Sequence, residues 1–135
     1  MFTTMLALII SHSSAGSIPA LELTTELHEV SIKYHVNPEL LTRIMLLESK
    51  GLEHAYNSAT GDYGLMQINH RTAAAYNIGH RCLKYWKCNI RIGARILADM
   101  QKSKRYRPCA YNVGTSHIGT RMKNCLTYEN KLAIL

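Results

Sequence analysis

The chain has 135 residues, of which 47% are hydrophobic and 19% charged, and it carries a formal net charge of +7. This composition is ordinary for a globular protein and predicts one domain that is large enough to bury its own core. Because no low-complexity tract, internal repeat or Pro-rich linker divides the sequence, we exclude a multidomain arrangement. The positive charge predicts an anionic partner or surface.

Nucleic acid is the first anionic partner that such a charge suggests. The basic residues, however, are scattered through Lys84–Arg107 and Arg121–Lys131. They are not accompanied by a helix-turn-helix, a zinc finger or an aromatic RNA-binding signature. We therefore expect no nucleic-acid partner, and a basic helical DNA-binding domain is kept only as an alternative.

The N-terminal segment begins with a short apolar run, Met5–Ile10, which is followed by the small residues Ser13-Ser14-Ala15. This pattern resembles a secretory signal with a cleavage site, although no Lys or Arg precedes the run. The run is far too short to span a membrane, so we do not expect an integral membrane protein. We expect an exported protein in which residues 1–20 form a signal peptide or an N-terminal extension and residues 21–135 form the catalytic domain.

Helical periodicity of the apolar residues predicts three longer helices. The second of these has further signals, because Asn37 is a good N-cap, Pro38 suits the first helical position and Gly51 suits the exit. The predicted spans are Ala20–His35, Pro38–Lys50 and Asn89–Lys102.

The remaining segments predict shorter elements. Asn57–Gly64 is dense in turn-forming residues and predicts a polar loop, and Leu65–Asn69 fits either a strand or the start of a helix. Short helices are predicted at Thr72–Tyr76, Ala110–Val113 and Ser116–Cys125. Because no alternating apolar pattern of useful length is present, the predicted fold class is mainly α.

One carboxylate lies within the apolar stripe of the second helix. Leu41, Ile44, Met45 and Glu48 fall at i, i+3, i+4 and i+7, so all four face the same side. A carboxylate on that side loses hydration, which raises its pKa and keeps it protonated near neutral pH, as a general acid requires. The alternative is a structural Glu at the rim of the stripe, paired or half-exposed.

Four cysteines, Cys82, Cys88, Cys109 and Cys125, are present without Cys-x-x-Cys spacing or a matching His pair. This pattern argues against zinc, and we expect no metal. An even number of cysteines in an exported protein predicts disulfides, with three connectivities open. Of these we favour Cys82–Cys88 with Cys109–Cys125, and buried free thiols are the alternative.

Four short motifs follow one another along the chain, and together they carry a resemblance. In order they are Glu48-Ser49, Gly64-Leu65-Met66-Gln67, Ala110-Tyr111-Asn112 and Tyr128. This order and spacing resembles the goose-type-lysozyme-like lytic transglycosylases of the SLT family, which cut the glycan strands of bacterial peptidoglycan. The resemblance runs from about Leu21 to Leu132 and implies a lysozyme-like helical bundle around a glycan-binding cleft.

The resemblance also implies a mechanism that needs one carboxylate and no cofactor. Glu48 would protonate the glycosidic oxygen and then take the proton of the muramoyl C6 hydroxyl, which closes a 1,6-anhydro ring. The other motif residues would serve the substrate or the acid. Ser49 would hydrogen-bond near the acid or the sugar, and Tyr128 would orient Glu48. Gly64 would let the backbone approach the glycan, and Met66 would line the cleft. Gln67 and Asn112 would hold N-acetyl or hydroxyl groups, and Tyr111 would face a sugar ring.

Two further readings stay open at this stage. A lysozyme-like hydrolase would pair Glu48 with a water molecule held by Asp62 or by polar groups, although an Asp in a Gly-rich turn usually accepts local backbone hydrogen bonds. An inactive wall-binding component would keep the cleft only as a docking site.

The stretch Lys87–Leu97 is similar to the small transglycosylases that accompany secretion, pilus or conjugation machines. We therefore expect peptidoglycan as the substrate, an assembly of that kind or a phage virion as the partner, and a periplasmic or virion-associated location.

Overall fold

A computed structural model of the chain describes residues 1–14, 16–114 and 117–135. Within these residues the architecture is helical, with one small antiparallel hairpin, which confirms the predicted mainly α fold class. The helices are α1 (Phe2–His12), α2 (Ala20–Tyr34), α3 (Pro38–Ser49), α4 (His70–Ala75), α5 (His80–Lys84), α6 (Trp86–Met100), α7 (Ala110–Val113) and α8 (Met122–Ala133). The hairpin pairs β1 (Tyr56–Asn57) with β2 (Asp62–Tyr63).

Helix α3 begins and ends where its sequence signals predict. The side chain of Asn37 accepts a hydrogen bond from the Leu40 amide at 2.9 Å, and Pro38 occupies the first turn. After Ser49 the chain turns through Lys50 and Gly51, both with positive φ, which ends the helix. The N-cap therefore fixes where α3 begins, and with it the place of Glu48 in the last turn of the helix.

The core lies between α3 and the helices packed around it. Leu41, Ile44 and Met45 are fully buried, as the apolar stripe predicts. Helix α1 packs against α2 and α3 and buries Met5 and Ile9. Helix α6 packs against α2, and α8 packs against α3 and α7, so α8 closes the side of the core on which Glu48 lies. None of the helices in the described ranges is long and apolar enough to span a membrane.

Two disulfides tie neighbouring elements together, and their pairing confirms the favoured connectivity. Cys82–Cys88 joins α5 to the first turn of α6. Cys109–Cys125 joins the residue before α7 to α8.

Several predicted boundaries differ from the observed ones. The segment Leu65–Asn69 is neither strand nor helix but a set of turns, and an antiparallel bridge pairs Tyr63 with Ile68 at its ends. The predicted last helix, Ser116–Cys125, is wrong in extent, because the buried face of α8 is formed by Cys125, Tyr128 and Leu132. Ser116 itself, like Ala15 of the predicted cleavage site, lies outside the described residues.

Helix α5 and the hairpin were not predicted. Strands of two residues are too short to show a hydrophobic period, and α5 buries only Leu83, so no apolar spacing indicates a helix there.

Candidate active site

Glu48 meets Tyr128 where α3 packs against α8. The Tyr128 hydroxyl donates a hydrogen bond to Oε1 of Glu48 over 2.8 Å. Tyr128 is buried in the core face of α8, so its hydroxyl is held in place. The structure therefore brings together the two residues that the sequence assigned to an acid and to its orienting partner.

The environment of Glu48 favours its protonated form. Burial raises the pKa of its carboxyl group to about 7, the negative charge of Asp62 adds to that rise, and the hydrogen bond from Tyr128 opposes it. No Lys, Arg or His of the described ranges forms an ion pair with this carboxylate. Burial and the charge of Glu48 also raise the pKa of Tyr128, so its hydroxyl remains a donor.

Two cavities with one shared lining residue lie in this part of the molecule. The first, here called the α8 cavity, has a volume of about 320 Å³. Its lining residues are Leu47, Glu48, Asn112, Asn124, Thr127, Tyr128 and Lys131. The second, here called the loop cavity, has a volume of about 490 Å³, and Asp62, Gln67, Tyr111 and Asn112 contribute to its lining. Asn112 lines both, and the volumes lie in the usual range for ligand sites.

Helix α7 forms the partition between the two cavities. The Tyr111 hydroxyl donates to the backbone carbonyl of Met66 over 2.7 Å, which ties α7 to the segment Gly64–Gln67. Burial raises the pKa of Tyr111 well above its ordinary value, and the charges of Glu48 and Asp62 act in the same direction. Asn112, in contrast, is exposed.

Asn89 holds the segment Gly64–Gln67 in place through hydrogen bonds. The sequence analysis did not predict this role. Asn89 is fully buried on α6; its Nδ2 donates to the carbonyls of Tyr63 and Leu83, and its Oδ1 accepts from the Met66 amide at 2.8 Å. The signal that singled out Glu48 was also present here, because Asn89, Ile92, Gly93 and Ile96 follow the same helical spacing.

This packing explains why residue 64 is a glycine. Its φ is +83°, and a Cβ atom at this position would collide with the side chain of Asn89. The lack of a side chain at Gly64 therefore allows this segment to pack closely against α6. Gln67 lines the loop cavity, while its Nε2 donates to the carbonyls of Ala55 and Gly64, both at 3.0 Å.

Two expected site residues lie elsewhere. Met66 was expected to line the cleft, but its side chain is fully buried against Gly93, which has no side chain and so leaves room for it. Ser49 was expected to contact the acid or the sugar, but it is buried; its hydroxyl donates to the Met45 carbonyl and accepts from the Gly51 amide. Both residues therefore stabilise the elements that present the site.

Asp62 has both a local and a cavity-facing role. One carboxylate oxygen accepts a hydrogen bond from the Thr60 hydroxyl at 2.7 Å, a side-chain donor rather than the backbone donors that were expected. The residue also lines the loop cavity. It is thus a second carboxylate whose charge acts on Glu48.

A metal centre is not supported by the ligands in the described part of the chain. The one cluster with suitable spacing there is Cys109, Cys125 and Glu129. Its two sulfur atoms form a disulfide, so they offer no thiolate to a metal. The chemistry of the site therefore depends on a buried carboxylic acid, a tyrosine hydroxyl and amide side chains.

A family model described as the transglycosylase SLT domain matches residues 27–134, a span that contains all the residues of the site described above. No curated protein matches the chain.

Proposed function

The chain belongs to the transglycosylase SLT domain family, whose members are peptidoglycan lytic transglycosylases, and we propose that Glu48 performs both proton transfers of that reaction. The observation that carries this assignment is the half-buried Glu48 carboxyl, whose pKa is raised to about 7 and which lines the α8 cavity. Such a group is about half protonated near neutral pH, so it can donate a proton and accept one back once it has lost its own.

The first step breaks the bond between the anomeric carbon of N-acetylmuramic acid and the bridging oxygen. The proton of Glu48 moves to that oxygen, which leaves with the bonding electron pair as the hydroxyl of the departing N-acetylglucosamine. Positive charge develops at the anomeric carbon. The Glu48 carboxylate that forms stabilises this charge, and it keeps the hydrogen bond from Tyr128.

The second step closes the ring without water. The C6 hydroxyl oxygen of the same muramoyl residue bonds to the anomeric carbon, and its proton moves to Glu48, which restores the acid. The nucleophile is part of the substrate, so its proximity lowers the barrier by as much as about 7–11 kcal/mol in well-oriented cases. The product is a 1,6-anhydromuramoyl end, and no second carboxylate is required.

The two cavities support a path for the glycan across the site. Asn112 offers its side-chain amide, and Gln67 its side-chain carbonyl oxygen, to N-acetyl or hydroxyl groups of the sugars, and Tyr111 contributes to the wall of the loop cavity. Gly64 keeps the Gly64–Gln67 segment close to α6. We propose that the strand runs along the loop cavity and reaches the α8 cavity only at Glu48, where the scissile bond lies.

Hydrolysis is the second candidate, because Asp62 lines the loop cavity and its charge acts on Glu48. Digestion of peptidoglycan in water enriched in oxygen-18, followed by mass spectrometry of the released muropeptides, separates the two reactions. We expect 1,6-anhydromuramic ends without the heavy isotope. Reducing ends that carry one oxygen-18 atom would mean that water is the nucleophile. Loss of those ends in Asp62→Asn would then assign the water to Asp62.

For its location, we propose that the protein acts in the periplasm after export. Three features support this: the apolar N-terminal run, the two disulfides, and a net charge of +7 that suits a wall bearing free carboxylates. Residues 1–20 would be a signal peptide or an extension that packs through α1, with residues 21–135 as the catalytic domain. The intact mass of the protein recovered from a periplasmic fraction distinguishes these two forms.

For its biological role, we propose that the enzyme opens the wall locally for a secretion, conjugation or pilus apparatus, with phage entry as the alternative. The support is the similarity of Lys87–Leu97 to the small transglycosylases of such machines. The test is a deletion strain in which assembly of each apparatus is measured. Restoration by the unsubstituted gene but not by a Glu48→Gln gene would support the role.

A further inference from the structure

The α8 cavity has a polar wall that the two proton transfers do not use. Asn124, Thr127 and Lys131 line it, and they recur on α8 at i, i+3 and i+7, so they form one face of the helix beside Tyr128. Asn112 faces them from α7. No hydrogen bond occupies the side-chain amides of Asn112 and Asn124 or the ammonium group of Lys131 within the described ranges of the chain.

Among the described residues, no carboxylate forms an ion pair with Lys131. The residues three and four positions away along the chain are Thr127 and Tyr128 on α8, and Ile134 and Leu135 just after its end. The nearest acid in the sequence, Glu129, is held by two hydrogen bonds from Arg107 and one from the Cys109 amide. Lys131 thus brings an uncompensated positive charge to a cavity that also contains Glu48.

Resting on the proposed function, we propose that the α8 cavity binds the first residues of the peptide stem of the muramoyl sugar, with Lys131 bound to a stem carboxylate. The stem is the anionic part of the substrate, and it branches from the same sugar whose glycosidic bond Glu48 cleaves. A cavity of about 320 Å³ has room for one or two amino-acid residues of the stem. Asn112 and Asn124 supply amide groups that pair with the peptide backbone of the stem.

The experiment compares substrates that differ only in the charge of the stem. Native peptidoglycan is set against the same material after its stem carboxylates have been converted to primary amides. The proteins are the unsubstituted chain, Lys131→Met, Lys131→Arg and the matched control Lys123→Met. Lys123 is exposed on the same helix, does not line the α8 cavity, and its substitution removes the same charge.

On native peptidoglycan we expect Lys131→Met to lower kcat/KM by about two- to five-fold, mainly through KM, as for one partly exposed ion pair. Lys131→Arg should retain most of the activity because it keeps the charge, and Lys123→Met should match the unsubstituted chain. On amidated peptidoglycan the difference between Lys131→Met and the unsubstituted chain should disappear. An equal loss in Lys123→Met, or a loss that persists on the amidated substrate, would overturn the proposal.

Binding of a soluble disaccharide-peptide fragment gives a readout that does not depend on turnover. Calorimetric titration of the same four proteins should show weaker binding only for Lys131→Met, and only with the unamidated fragment. If the unsubstituted chain releases no anhydromuropeptide, the proposed function fails, and this titration still decides whether Lys131 binds the stem. Equal binding of the native and amidated fragments would overturn the stem site while leaving the cleavage mechanism intact.

Discussion

Two glutamates near Tyr128, Glu48 and Glu129, differ in their hydrogen-bond partners and in the direction in which their pKa is shifted. Glu48 receives one hydrogen bond from the Tyr128 hydroxyl and no ion pair, and burial raises its pKa to about 7. Glu129, the next residue along α8, receives hydrogen bonds from Arg107 and from the Cys109 amide, and these lower its pKa. The same side chain is thus an acid in one place and a fixed anion in the other, because its neighbours decide the charge.

The largest effect should come from Glu48→Gln, which keeps the shape of the side chain but removes its proton. The amide oxygen can still accept the hydrogen bond from Tyr128, so the fold should be preserved. We expect release of anhydromuropeptides to fall by about 10²–10⁴-fold or more. Chromatography of digested peptidoglycan measures this, with circular dichroism as the check on folding. Activity within a few-fold of the unsubstituted chain would mean that Glu48 is not the acid.

The same substitution should stabilise the protein in a pH-dependent way. The pKa of Glu48 is higher in the folded chain than in the unfolded one. The folded state therefore loses stability as pH rises from the pKa of the unfolded chain through the folded-state pKa of about 7. Glu48→Gln avoids this loss. We expect it to gain at most about 3 kcal/mol over the unsubstituted chain at about pH 8 and little at about pH 4. Urea unfolding at both values tests this, and a gain independent of pH would contradict it.

Tyr128→Phe should have an intermediate effect on rate and a characteristic effect on the pH profile. In the unsubstituted chain kcat/KM should fall as pH rises through about 7, because Glu48 must be protonated. The Tyr128 hydroxyl lowers the pKa of Glu48, so its removal should move this limb to higher pH. We expect a loss of roughly ten-fold at the optimum, as for one hydrogen bond to a charged group. Tyr85→Phe, at an exposed position, is the control and should change neither quantity.

The smallest effect should come from Glu129→Gln, and its pH dependence should run the other way. The pKa of Glu129 is lower in the folded chain than in the unfolded one. Its contribution to stability is therefore present at a pH above the pKa of the unfolded chain, and it is lost as pH falls through the pKa of the folded chain. We expect a loss on the order of 1 kcal/mol near neutral pH, since the pair with Arg107 is partly exposed. Urea unfolding of this variant should converge with that of the unsubstituted chain in acid, and its activity should stay within a few-fold.

The contrast between the two glutamates could be predicted for one of them only. Glu48 interrupts an apolar stripe, a pattern that fits a desolvated acid or a structural Glu, and the ordered motifs along the chain decided for the acid. The partner of Glu129 is Arg107, which is 22 residues away in an irregular segment. No period in the sequence connects the two, so their pairing depends on how α7 and α8 pack.

The motifs predicted which residues matter better than they predicted where each side chain points. Met66 and Ser49 were assigned to the cleft by resemblance, but Gly93 leaves a space in α6 that Met66 fills, and Ser49 bonds back to its own helix. Asn89 could have been found by the reasoning that found Glu48. It was missed because an amide at the beginning of a helix is usually read as part of its polar entry.

The Cys109–Cys125 disulfide bears on where and when the enzyme is active. It joins Cys109, which precedes the helix that carries Tyr111 and Asn112, to the helix that carries Tyr128 and Lys131, so one covalent bond connects the two sides of the α8 cavity. Such bonds form only where thiols become oxidised. We therefore expect the newly made chain to hold these two sides together less firmly than the oxidised one. A wall-cutting enzyme of this design would reach full activity only after it had left the compartment in which it was made.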